Sequence, residues 1–379
     1  MAGPLIQSLD GSAVGPVTRV LVLSPDFPPR RGGIETLVHR LVASWSRCTP
    51  TVVALHSPGS REFDAGLSFA VRRIGSGKRG PGAVIRLNLS SLVLGVQQKP
   101  DVVLSAHIIT SPAAQALRRL TGVPVVQYLY GLEATARPGL TRFAARNAQA
   151  VIAISRYTQA LARIAGAPES RIHLIHPGVD LPPREAVAVA DVPELITVAS
   201  LKYRYKGHDV IIRALPLIRA AVPEARWVVV GDGDLRRYLE SLIAAHGLRE
   251  HVDLVGSVSD AERDERLCRA SVMVMPSRIP ADGVGGEGYG IAFSEAAVQG
   301  VPVVGGNVAG ARDAVDDGVT GLLVDPESPL AVATAVTELL RHPERGRQLA
   351  DAARRRAERL AWPNIAREVE DLILRVARA

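Results

Sequence analysis

Short apolar runs, each ending in a polar turn, recur along this chain, and the stretches between them place apolar residues at helical spacing. VTRVLVLS (17–24) predicts a buried strand, followed by a Pro-rich loop and a helix from about Glu35 to Trp45. TVVALHS, DVVLSAH, VPVVQYLYG and AVIAIS (150–155) repeat the pattern, the last leading into the helical RYTQALARIAG. A Gly/Pro-rich segment, RIHLIHPGVDLPP, closes the first half. The pattern then restarts: ELITVAS, ARWVVVG, VDLVGSV, VMVMPS, PVVGG and GLLVD read as strands, with HDVIIRALPLIRAAV, DLRRYLESLIAAHG, AERDERLCRA and SEAAVQG as intervening helices. The last fifty residues read as helical throughout. Apolar runs buried on both faces and separated by helices predict an α/β fold with parallel sheets. Two doubly wound halves joined near residues 176–190 put a cleft between them, where strand ends meet. The expected divisions are a loose tail over 1–18, a first domain over 19–183, a second over 184–355 and a terminal helix over 356–379.

At 379 residues with 47% hydrophobic content, the chain is long enough for two globular cores. Aromatic residues make up only 4%, which argues against stacking-based nucleic-acid binding. The opening residues lack the basic start and long apolar run of a signal peptide, and no run of eighteen apolar residues occurs, so a cytoplasmic protein is expected. Residues 1–183 hold 20 Lys and Arg against 9 Asp and Glu, whereas 184–379 hold 25 against 29. The basic first half suits an anionic acceptor or peripheral contact with an anionic membrane; an arginine-rich solvated surface is the plainer alternative. Cys48 and Cys268 are far apart and lack metal-ligand spacing, so neither metal nor cofactor is expected.

Three loops carry candidate chemistry. SPDFPPRRGGIETLVHRL sets Gly32 and Gly33 ahead of a helix, where backbone N–H groups can approach a phosphate. The absence of GxGxxG there counts against a dinucleotide-dependent dehydrogenase. LKYRYKGHD crowds Lys202, Arg204 and Lys206 between a strand and a helix, a set of cations able to hold a departing diphosphate. VVVGDGD places Gly231 at another strand end, which alone marks a tight turn.

The third loop, GGEGYGIAFSEAAVQGVPVV (285–304), is the most informative. Its glycines place Glu287 in a loop and start a helix near Phe293 or Ser294 that stops at Gly300. The N–H groups of Gly290, Ile291 and Ala292 would face an anion, while Glu295 falls on the first turn and points elsewhere. Two carboxylates bracketing an anion site suit a ligand with hydroxyls at both ends and a diphosphate between, which describes a nucleotide sugar.

Glu287 and Glu295 form an E-x7-E element, and with it the chain resembles the family 4 retaining glycosyltransferases of GT-B fold. The resemblance runs through DFPPRRGGIE, AVIAISRYT, IHPGVD, KYRYKGHD, VGDGDLRRYLE, EGYGIAFSEAAVQGVPVV and DGVTGLLVD. It implies two Rossmann-like domains, an N-terminal one for the acceptor and a C-terminal one for the donor, with a terminal helix crossing back past Trp362-Pro363. Glu287 would then meet hydroxyls of the transferred sugar, Glu295 the ribose, and Ile291 and Ala292 the diphosphate, with Gly33 approaching from the first domain. Lys206 would stabilise the departing phosphate, Asp26 would lie by the sugar or incoming hydroxyl, and GSVSD, with Ser257 and Val258, would hold the base. Net retention at the anomeric carbon and no required metal are also implied.

Two departures stand out. Tyr130 in YGLE replaces a histidine that the phosphatidylinositol mannosyltransferases of the family carry; its phenol can donate a hydrogen bond but cannot act as an imidazole base. Leu201 replaces an arginine, so Lys202 or Arg204 is expected to supply that cation. The nearest motifs lean towards GDP-mannose as donor. An anionic lipid or a small soluble metabolite both stand open as acceptor, and a non-hydrolysing sugar-nucleotide epimerase or a catalytically silent nucleotide-sugar-binding protein are the other readings.

Overall fold

The structure, a computed structural model, describes residues 17–181 and 192–378. Most of the expected N-terminal tail and the expected 183/184 division lie outside the described residues.

Seven strands build the first sheet: β1 (Thr18–Leu23), β2 (Cys48–Leu55), β3 (Ala70–Ile74), β4 (Val102–Ser105), β5 (Val125–Leu129), β6 (Ala150–Ala153) and β7 (Ile172–Leu174). Their spatial order is β3-β2-β1-β4-β5-β6-β7, every pair parallel. The second sheet comprises β8 (Glu194–Val198), β9 (Arg226–Val230), β10 (Val252–Gly256), β11 (Val272–Met275), β12 (Val303–Gly306) and β13 (Leu322–Val324). It runs β10-β9-β8-β11-β12-β13, again all parallel. Strand order reverses between β1 and β4 and between β8 and β11, and loops leaving these four strands are where such sheets place ligands. Four-residue strands such as β4, β6 and β11 are buried along their whole length, because helices cover both faces.

All six strands expected in the second half are present. Two strands of the first half were not anticipated: β3 (AVRRI) carries two arginines at the sheet edge, and β7 has only three residues. Helix boundaries also differ. The helix after the first glycine pair spans Gly33–Ala43, beginning two residues before the expected start, and the one after the third loop spans Ile291–Val298. The C-terminal stretch is not one continuous helix but three, Pro329–Arg341, Pro343–Arg359 and Trp362–Arg378.

The last of these returns to the first domain. Trp362, Ile365, Val369, Leu372 and Ile373 share a core cluster with Val20 and Val22 of β1 and with Leu37 and Leu41. The Glu370 carboxylate is 1% exposed and accepts the backbone N–H groups of Ser46 (2.9 Å), Arg47 (2.6 Å) and Cys48 (2.9 Å). Where the chain crosses back, Val179 N–H donates to Leu360 O at 2.9 Å and Trp362 N–H donates to Val179 O at 3.3 Å. Gly178 is required there, since a Cβ would sit 2.4 Å from the Trp362 ring.

Candidate active site

The loop after β8, residues 199–207, ends in a tight turn, Arg204–Lys206, followed by Gly207 at φ +83°. A side chain at Gly207 would strike Pro276 O at 2.3 Å, so this loop is pressed against the one leaving β11. That contact carries Lys206 to Glu287: Nζ lies 2.6 Å from Oε2, with the side chains 16% and 11% exposed. Burial opposes the Lys206 charge, but Glu287 and the neighbouring Tyr205 outweigh it and hold the ammonium above the ordinary lysine pKa. The main chain of Glu287 is fixed in turn, its carbonyl accepting from Gly310 N–H at 2.9 Å.

Gly290, at φ +96°, turns the chain into the Ile291–Val298 helix; a Cβ there would lie 2.5 Å from the Phe293 ring. The first turn leaves the N–H groups of Ile291 and Ala292 without intrahelical partners, at the positive end of the helix. Because the helix starts at Ile291, Glu295 sits on its second turn, not the first. It pairs with Arg263 at 3.1 Å and lines a cavity of about 170 Å³ together with Thr36, Asp180, Ile291 and Trp362. Burial, followed by the negative charges of Asp264, Asp260 and Asp180, raises the Glu295 pKa against the pull of Arg263.

The other expected donor-side residues are more dispersed. The Arg204 guanidinium lies 4.8 Å over the Tyr238 ring and donates to its hydroxyl at 2.9 Å, so it is committed to the helix behind it. Lys202 is exposed, and Leu201 is wholly buried. Neither cation is held at Glu287, whose carboxylate is taken by Lys206. Gly231 has a packing reason of its own: a Cβ would come within 2.0 Å of Ala199 O. Ser257 is exposed, and the Val258 carbonyl accepts from Arg31 of the first domain.

On the opposite wall, Asp26 accepts from Arg79 Nη1 at 2.6 Å, and Arg30 stands 3.7 Å from Asp26 and 3.6 Å from Glu35. Gly32 makes room for Glu35, whose Oε2 would lie 2.2 Å from a Cβ, whereas the space beside Gly33 is open. Burial and then the Asp26 charge raise the Glu35 pKa. The Tyr130 ring stacks on Tyr128 with centroids 5.8 Å apart, and its hydroxyl is buried without a hydrogen-bond partner. Burial, then Tyr128, Glu133 and Asp26, push its pKa well above the usual phenol value, so the proton stays on oxygen.

A histidine that sequence reasoning missed stands beside this tyrosine. His107, two residues past β4, donates from Nε2 to Glu133 Oε2 at 2.8 Å and accepts Ile109 N–H on Nδ1 at 3.2 Å. Glu133 also takes the Tyr130 N–H at 3.3 Å and the Ile108 N–H at 3.4 Å. The Nδ1 bond fixes the neutral, Nε2-protonated tautomer. Burial lowers the affinity of this ring for a further proton, but Glu133 and Asp26 more than offset it, raising the pKa. The available signal was DVVLSAH, which ends on a histidine beside the strand-order reversal.

The two walls touch. Tyr157 hydroxyl donates to Gly285 O at 2.9 Å, and Gly285 N–H donates to Thr135 Oγ1 at 2.9 Å. Among the described residues no group of three or more His, Cys, Asp or Glu side chains gathers as a metal site.

Two family models divide the chain: Glycosyltransferase Family 4 matches residues 31–182 and Glycosyl transferases group 1 matches 183–356. A GDP-mannose-dependent alpha-(1-6)-phosphatidylinositol monomannoside mannosyltransferase of Mycolicibacterium smegmatis is 31% identical, over 88% of this chain and 92% of the relative. The chain is a family 4 glycosyltransferase. A glycogen synthase of Mycobacterium tuberculosis is 26% identical to this transferase, over 95% of each chain. Among solved structures, Anabaena Alr3699/HepE in complex with UDP-glucose aligns with a TM-score of 0.78 at 20% identity, covering 94% of the transferase and 99% of that chain. A sucrose-phosphate synthase from Thermosynechococcus elongatus gives 0.81 at 20% identity, covering 95% and 99%. These likenesses and the two parallel sheets establish the GT-B fold of the transferase.

Proposed function

We propose that the transferase moves a hexosyl group from a GDP-mannose-like nucleotide diphosphate sugar to a hydroxyl of an anionic lipid acceptor, with retention and without a required metal. The observation that carries this reading is the Lys206–Glu287 pair beside the open N-terminus of the Ile291–Val298 helix. Ile291 and Ala292 N–H groups would bind the diphosphate, Glu295 the ribose, and Ser257 and Val258 the base. Glu287 would accept hydrogen bonds from the sugar, placing its anomeric carbon over Lys206.

As the bond from the anomeric carbon to the phosphate oxygen breaks, negative charge grows on the leaving diphosphate. The Lys206 ammonium, already fixed and charged, stabilises that charge without reorganising. The acceptor oxygen attacks from the face the phosphate leaves, and its proton passes to the departing phosphate oxygen. A strong protein base is then unnecessary, which suits a site where Tyr130 stays protonated and both nitrogens of His107 are engaged. The GDP-mannose donor and phosphatidylinositol monomannoside acceptor for which the mycobacterial relatives are named support the choice of substrates. A small soluble acceptor is favoured instead by the tyrosine at position 130, which departs from the mannosyltransferase motif at the reacting centre.

Calorimetric titration with GDP, UDP, ADP and dTDP and their common sugar conjugates tests the reading, with and without chelator and on Glu295→Ala. Selective binding of guanine nucleotides, indifferent to chelator and weakened in the variant, is expected. An inverted anomer in the product would end the retaining mechanism, and no nucleotide binding at all would end the donor assignment.

A further inference from the structure

The helix Pro81–Gln98 carries an apolar stripe that none of the described residues covers. Its buried positions, Ala83, Leu87, Ser91 and Gly95, lie against the sheet and the helix Ser111–Thr121. On the outer side Ile85, Leu89, Val93 and Val96 are 59, 59, 55 and 44% exposed, a spacing of four, four and three that aligns them along one face. Water-facing helices normally carry charge there. This one has a single charged residue in eighteen, Arg86, and no acid. Leu120, 67% exposed, extends the patch from the neighbouring helix, which runs alongside with Ala113 bonded to Asn88 and Leu117 against Gly95.

Charge around the stripe has one sign. From residue 75 to 122 there are six Lys and Arg and one acid, Asp101, which is tied to Arg19. Lys78, Arg86, Lys99 and Arg119 are exposed around the helix. Position matters equally. The loop that starts the helix sends Arg79 to Asp26 in the cleft, so one end of the apolar face lies at the mouth of the candidate active site.

We propose that the outer face of the Pro81–Gln98 helix docks on an anionic phospholipid bilayer. Ile85, Leu89, Val93 and Val96 would sit among the acyl chains near the interface, with the surrounding cations among lipid phosphates. A second copy of the chain is disfavoured as occupant, because a two-fold contact through this face would set like charges against each other. Among the described residues no helix is long and apolar enough to cross a membrane, so the contact lies in the interfacial plane. The purpose of docking, to present a lipid headgroup at Asp26, rests on the proposed transfer to lipid; the docking itself does not.

The test is sedimentation of the full chain with vesicles of phosphatidylcholine alone or mixed with phosphatidylglycerol, without donor or acceptor. Binding to the mixed vesicles only is expected, weakened roughly tenfold or more by Leu89→Glu/Val93→Glu and reduced by Lys78→Glu/Arg86→Glu. Leu89→Ser/Val93→Ser gives a milder version should the acidic pair disturb folding. Nucleotide binding, measured by calorimetry, stays at the wild-type level in all three. Equal vesicle binding by wild type and variants would overturn the proposal. So would no binding to either vesicle, or a wild-type dimer that the variants dissolve. Loss of vesicle binding with intact nucleotide binding concerns this face alone, whereas loss of nucleotide binding would strike the transferase reading.

Discussion

Replacing Lys206 by methionine keeps most of the side-chain volume and removes the ammonium. At 2.6 Å from Glu287 Oε2, and with an effective dielectric of about 20, the lost attraction is roughly 6 kcal/mol gross. Much of that is offset by relief of desolvation, and losing one partner of a buried pair generally costs about 3–5 kcal/mol. The cleft lets some water reach both side chains, so the lower end applies: about 3 kcal/mol of stability, unless Glu287 takes up a proton. The catalytic effect is separate. A fixed cation beside the diphosphate meets one further negative charge as the sugar bond breaks, and removing it should cost about 10²–10³ in kcat, as for other pre-set electrostatic groups. KM for the donor should change far less, because in the proposed binding mode the helix N-terminus would also hold the ground-state diphosphate. The assay is steady-state transfer with purified wild type and Lys206→Met, alongside urea unfolding to confirm that the variant is folded under assay conditions. A folded Lys206→Met enzyme with kcat within tenfold of wild type would refute the assignment of Lys206 to the leaving group.

Burial, aided by the Lys206 charge, holds His208 down at about 4, and it stays neutral in the fold, with neither ring nitrogen bonded. The unfolded chain protonates it near 6.5, so stability is full well above that pH and falls as pH drops towards the folded pKa, by about 1–2 kcal/mol between pH 6.5 and 5. Urea unfolding of His208→Phe at the two pH values should show a correspondingly smaller loss than wild type, and an equal loss would show that the imidazole does not carry it. Glu370→Ala leaves three backbone N–H groups without their acceptor and should cost about 3–5 kcal/mol. Limited proteolysis should then release the terminal helix first, with Glu370→Gln intermediate; cleavage elsewhere would contradict the anchoring role.

Fold class was legible because the buried strands of both sheets are written as short, mostly apolar runs rich in Val, Ile and Leu, a pattern that helices on both faces demand. β3 escaped because an edge strand tolerates Arg72 and Arg73, which break the apolar run. Glycine-rich loops were legible as loops, but the start of the Ile291–Val298 helix was placed two to three residues late, since Ile291 and Ala292 look like loop residues until Gly290 is seen to turn the chain. Which side chains meet was legible only in part. The sequence crowds three cations after β8, and nothing local says that Tyr238, thirty-four residues beyond Arg204, will claim that arginine while Lys206 reaches Glu287. His107 was missed for the same reason: its partner Glu133 comes from the short helix Gly131–Ala136 after the next strand, brought beside it by the sheet.

The described chain leaves the first domain beyond Val179 and returns to it at Trp362, and these two points are bonded to each other through Val179, Leu360 and Trp362. A single tether would let the halves twist, slide or swing. A second tether bonded to the first restricts twist and slide where they cross, and the bonds of the glycine loop to Tyr157 and Thr135 add a second point of attachment between the halves.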